Sequence, residues 1–90
     1  MTYTVVWSEN AENDLLQIWI DSPDRESITR AANEIDPTLH FDPILRGETY
    51  NPSTRVLKVW PLLALYRVFE QDRLVKVISI HPVPPKSGGD

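Results

Sequence analysis

Four side chains on strand-like runs in the second half of the chain stand out among the types that handle protons and phosphates: His81, Arg67, Lys58 and Arg55. His81 closes the run "KVISIH", and imidazole as a class titrates close enough to neutrality to serve as acid or base. Lys58, Arg55 and Arg67 fall in runs that read as strands, and a sheet face carrying such cations can hold phosphates. Alternation sets a condition on that reading. Arg67 shares its parity with Leu63, Leu65 and Phe69, whereas Arg55 and Lys58 differ in parity and cannot face the same way on a regular strand. The plainer reading is a set of solvated strand charges with His81 at a solvent-facing strand end, and the residues alone leave both open. Glu48, after Gly47 in a loop, could act as a base or simply be solvated. His40 and Asp42 in "HFD" supply two metal-ligand types without a third, so neither a metal nor a cofactor is expected. Tyr66 stands between apolar neighbours of its own parity and reads as core, as do Trp7, Trp19 and Trp60.

The elements that must position these groups follow from periodicity. "YTVVW" puts Tyr3, Val5 and Trp7 on one side of a first strand. Ser8 suits a helix N-cap, with Glu9 and Glu12 favoured by the positive helix end. Ala11, Leu15, Ile18 and Trp19 form the apolar stripe of a first helix. "DSP" stops it and starts another, with Ser22 as cap and Pro23 in the first helical position. Ile28, Ala32, Ile35 and Leu39 mark the buried stripe of this second helix, and Pro37 predicts a kink near Asn33–Asp36. "DPILRGETYNPST" reads as a loop rich in Pro, Gly and Asn. Three strands remain, "TRVLKVW", "LALYRVFE" and "LVKVISIH". Pro61 limits pairing between the first two, and "QDR" makes a tight hairpin between the last two. The order β-α-α-β-β-β is that of an α+β domain, two helices on one face of a mostly antiparallel sheet.

Ninety residues make one small core, able to bury about three-fifths of the unfolded surface. A single domain over residues 1–84 is expected, with a flexible tail at 85–90, "PKSGGD". There are no cysteines to form disulfides or thiolate metal sites. The opening "MTYTVVWSENAEND" lacks a basic segment followed by an apolar run, and "VWPLLALY" is too short to span a bilayer, so a cytoplasmic protein without membrane contact is expected. The net charge of −4 argues at first against nucleic acid. The halves differ, however. Residues 1–45 carry nine acids against Arg25 and Arg30, while residues 46–90 carry seven bases against four acids. The helical half is acidic and the sheet half basic, and screening over about 10 Å lets one face act apart from the other.

Tyr3, Val5, Trp7, Ser8, Ala11, Asp14, Leu15 and Ile18 together form an opening that resembles that of RelE/ParE-type toxins. Pro43, Gly47 and Glu48 resemble the "P-x-x-x-G-E" loop of those proteins, "RVLKVWPLLALYRV" their central hairpin and "VKVISIH" their last strand. The likeness runs over residues 3–81. It implies the toxin half of a type II toxin–antitoxin pair, also known as plasmid stabilisation proteins. The partner it implies is a cognate antitoxin whose C-terminal segment wraps the toxin. The targets it implies are mRNA on the ribosome for RelE-like members and DNA gyrase for ParE-like ones. A RelE-like endonuclease would draw on His81, Arg67, Lys58 and Arg55. Against that branch, Leu63 stands where the resemblance implies a central-strand arginine, and "PVPPKSGGD" replaces a basic C-terminal segment. A non-cutting or weakened toxin that binds a translation or DNA-topology target is therefore expected, with a ribosome-dependent mRNA endonuclease and a decayed, non-toxic protein-binding module as rivals. Leu63, Leu65 and Phe69 face away from the helices if Tyr66 faces them, and an exposed apolar stripe calls for a partner. The antitoxin segment fits that role; the "ILRGETY" loop or a second copy in a homodimer are the other candidate covers.

Overall fold

The computed structural model describes residues 2–83, so the tail read from 85–90 lies outside the described residues. Strand β1 (Thr4–Trp7) leads into helix α1 (Glu9–Asp21) and helix α2 (Arg25–Phe41). Four strands follow: β2 (Glu48–Asn51), β3 (Thr54–Val59), β4 (Leu62–Phe69) and β5 (Leu74–Pro82). They form one sheet in the order β1-β5-β4-β3-β2, antiparallel except for the β1–β5 pair. Both helices lie on one face, α1 over β5 and α2 over β1, β3 and β4. The expected α+β class is borne out, with β2 added in a segment read as loop. All four β2 residues are exposed, so the strand carries no alternation by which sequence reasoning could find it.

Local chemistry explains the helix limits. The Ser8 hydroxyl accepts from the Ala11 N–H and caps α1, as expected. Helix α2 begins later than the sequence suggested. Asp24 is its cap, accepting from the Ser27 N–H, and Ser22 instead closes α1 by donating its N–H to the Trp19 carbonyl. Proline at 23 lies before the cap, where its missing N–H costs nothing. Pro37 sits inside α2, which runs through it without interruption to Phe41. The buried α2 residues are Ile28, Ala31, Ile35 and Leu39, so Ala31 rather than Ala32 sits deepest in that turn.

These α2 side chains meet Ala11, Leu57, Leu62, Ala64, Tyr66, Val75, Val77 and Ile80 in one core. Full burial of each large side chain is worth about 1.5–3 kcal/mol. Pro61 does not hold β3 and β4 apart. With a cis Trp60–Pro61 bond it forms the turn itself, and Val59 pairs directly with Leu62. The β4–β5 turn spans Glu70 to Arg73, with Arg73 in the left-handed region at φ 50°.

Candidate functional site

Strand β4 fixes the two faces of the sheet. Leu62, Ala64 and Tyr66 are buried against the helices, and Leu63, Leu65, Arg67 and Phe69 alternate with them to the outer face, as parity predicted. Register carries the assignment to the neighbours. Lys58 and His81 flank Leu63; Val56 and Ser79 flank Leu65; Lys76 pairs with Arg67. Glu48 joins the Leu65 row through Val56.

Regular alternation would put Lys76 and His81 on opposite faces. They share one because β5 slips by a residue opposite Leu65–Tyr66, with Leu65 facing Ser79 and Tyr66 facing Val77. The bulge lies where β5 runs past the end of β1, and α1 supplies bonds that a strand otherwise would. The Ser8 hydroxyl donates to the Ile78 carbonyl at 2.8 Å, and the Ile80 N–H donates to Asp14 Oδ2 at 3.1 Å. Ser8 and Asp14 of the opening motif therefore aim His81 and Ser79 outwards. The imidazole Nε2 of His81 lies 3.0 Å from Ser79 Oγ. The strand continues one residue past His81, to Pro82.

The four groups read as a nuclease set divide between places. Lys58 and His81 stand either side of Leu63, their strands about 10 Å apart across β4. Arg67 lies four residues further along β4, about 13 Å from that row, beside Lys76. Arg55 is not in the group. It pairs with the buried Tyr66, and its Nη2 donates to the Ile44 carbonyl and, at 2.8 Å, to the Gly47 carbonyl. Beside it the Tyr66 hydroxyl donates to the Pro43 carbonyl at 2.6 Å. Burial pushes the Tyr66 hydroxyl above its ordinary pKa, and the Arg55 charge works against that rise. Arg55 and Tyr66 thus clamp the 43–47 loop, and a Cβ on Gly47 would sit 1.7 Å from the Tyr66 hydroxyl. The resemblance's "P-x-x-x-G-E" motif is here the clamped loop leading into β2.

The outer face is consequently an apolar centre with cations at both ends. Val56, Leu63 and Leu65 are half-buried, with exposed Lys58 near one end and exposed Arg67 and Lys76 at the other. Like charges directly opposite across two strands repel. Among the described residues the one ion pair is Arg30–Glu26, so neither Arg67 nor Lys76 is paired with a described carboxylate. Lys76 and Ser79 were missed from sequence because the bulge inverts the parity of the strand end. Of the tryptophans read as core, Trp60 is 62% exposed at the β3–β4 turn and Trp19 is 38% exposed on α1. His40 Nδ1 donates to the Tyr3 carbonyl, tying α2 to the start of β1.

No protein-family model and no curated protein matches the sequence. Solved structures do match. A chain of the toxin–antitoxin complex RelBE2 from Mycobacterium tuberculosis is 19% identical, with a TM-score of 0.76 over 91% of this chain and 92% of that one. A chain of the chromosomal ParDE system from P. aeruginosa is 20% identical, with a TM-score of 0.69 over 92% and 98%. A chain of the archaeal RelE–RelB complex from Pyrococcus horikoshii OT3 is 18% identical, with a TM-score of 0.65 over 91% and 96%. Over most of its length, this chain therefore has the fold of the RelE/ParE-type structures, the one that its motifs resemble.

Proposed function

We propose that this protein is the toxin component of a toxin–antitoxin pair, that it acts by binding its target rather than by cutting RNA, and that the antitoxin neutralises it by covering the outer sheet face. The fold shared with chains from RelBE2, ParDE and RelE–RelB complexes supports the pairing. The observation that carries the mode of action is the make-up of the outer face. Cleavage through a 2′-hydroxyl needs cations gathered round one phosphate and a proton carrier in reach. Here Leu63 stands between Lys58 and His81, Arg67 is two rows away, and Arg55 is engaged on the far side of the sheet. An aliphatic centre with cationic ends instead suits an amphipathic polypeptide whose apolar residues cover Leu63, Leu65 and Phe69. Its carboxylates would meet Lys58, Arg67 and Lys76, where complementary charge speeds docking and fixes register.

The test is induced expression with and without the adjacent reading frame. Growth should stop when the protein is made alone and resume when the neighbour is co-expressed. Unchanged growth at a confirmed level of folded protein would remove the toxin reading and favour a non-toxic binding module.

A further inference from the structure

A groove of about 440 Å³ opens at the end of the molecule where both helices meet the β3–β4 turn. Its apolar walls come from Ile18, Ile28, Trp60 and three prolines, Pro23, Pro61 and Pro82. Among the described residues its rim carries Asp21 and Asp24 and no cationic side chain. None of the contacts described above on the outer sheet face involves it.

The hydrogen-bond inventory of this groove is lopsided. Prolines bring carbonyls without N–H groups, so three wall positions offer no backbone donor. Most of the donors that remain are engaged inside the protein, the exposed Trp60 indole N–H being the exception. The Ser22 N–H donates to the Trp19 carbonyl and the Asp24 N–H to the Ser22 hydroxyl. The Ser27 N–H and hydroxyl both donate to Asp24, Gln17 donates to Asp21, and the Val83 N–H donates to the Pro61 carbonyl. Nearby Arg25 is held by the Trp19 and Ile20 carbonyls and stacks on the Trp19 ring, so its charge is turned away from the rim. What remains is an apolar slot edged by carboxylates whose lone pairs exceed the donors they receive.

We infer that this groove is a second docking site, for a polypeptide segment that presents an apolar residue next to an arginine or lysine. The alkyl part of such a segment lies on Trp60 and the prolines, and its cationic head reaches Asp21 and Asp24. The charge is opposite to that of the partner proposed for the outer sheet face, so one acidic segment cannot satisfy both. Trp60, itself 62% exposed, also offers aromatic surface to an arginine plane.

The test titrates the full chain with three blocked peptides, Leu-Arg-Leu-Arg, Leu-Gln-Leu-Gln and Leu-Glu-Leu-Glu. The readout is the Trp60 indole N–H together with the methyl resonances of Ile18 and Ile28. The arginine peptide should shift these resonances and bind roughly two- to fivefold more tightly than the glutamine peptide, as expected for rim ion pairs. Added salt should erase that difference and Asp21→Asn should reduce it, each leaving the spectrum of the free protein folded. Equal binding of the glutamate peptide, or shifts that map away from Trp60, would overturn the inference. So would concentration-dependent shifts without peptide, which would make a second copy the occupant. None of these outcomes depends on whether the protein arrests growth.

Discussion

Gly47 shows how a single position can be fixed by a neighbour far along the chain. Its missing side chain leaves room for the Tyr66 hydroxyl, which in turn holds the Pro43 carbonyl. Gly47→Ala should destabilise the fold by about 1–3 kcal/mol, the usual range for forcing extra volume into a packed site. Tyr66→Phe should cost about 1 kcal/mol for the lost hydrogen bond, and the double variant should lose less than the sum of the two single costs. Urea unfolding of the three variants checks this; strict additivity would show that the contact does not set the glycine. The same tyrosine gives a pH signature. Its folded pKa is raised above the ordinary 10.0, so the stability it contributes is full below that value and is lost as pH rises through the folded pKa. Tyr66→Phe should therefore lose less stability than the wild type between about pH 9 and 11, measured by the same unfolding curves. Sequence reasoning placed Tyr66 in the core correctly. It could not see that Arg55 is the clamp beside it, because pairing register, not residue type, turns Arg55 to that side. Trp60 misled for the opposite reason: tryptophan is usually well buried, but its place in a two-residue turn leaves most of the side chain in solvent.

Strand β5 is where an element departs from its own alternation, and the departure decides which side chains form the outer face. Ser8 and Asp14 hold the bulged stretch through Ile78 and Ile80. Ser8→Ala removes both the α1 cap and the bond to β5, and should cost about 1–2 kcal/mol. If the bulge depends on that bond, the His81 and Ser79 resonances should move along with those of the α1 N-terminus. A purely local loss of capping would leave them in place. The two long helices, β1 and the three long strands were legible because each carries a clear period and, at its ends, Ser, Asp, Pro or Gly. Strand β2 was not, since an exposed edge strand is held by backbone bonds to β3 and places no apolar demand on its residues. The α2 start was displaced by two residues because "DSPD" offers both Ser22 and Asp24 as caps, and only the packed structure shows which one the helix uses.

At the scale of the molecule, charge and apolar surface are sorted by layer. The helical half is acidic, and the outer sheet face brings Lys58, Arg67 and Lys76 round an aliphatic centre with Glu48 as the one acid in the same rows. That sorting was readable from the two halves of the sequence once they were assigned to helices and sheet. Leu65→Asp places a carboxylate at the centre of the stripe and away from the buried face. It should release a co-purifying partner from the outer face while leaving the free energy of unfolding within about 1 kcal/mol of the wild type. A variant that unfolds would show that the stripe supports the core instead. The claim that this face binds without cutting is open to a direct check with purified protein on ribosomes carrying a message, the new RNA ends being mapped after incubation. The expected result is an intact message with both the wild type and His81→Ala. Cleavage by the wild type that falls by roughly 10²–10⁴-fold in His81→Ala would contradict it and make His81, with Lys58 across Leu63, the acid–base centre of a nuclease.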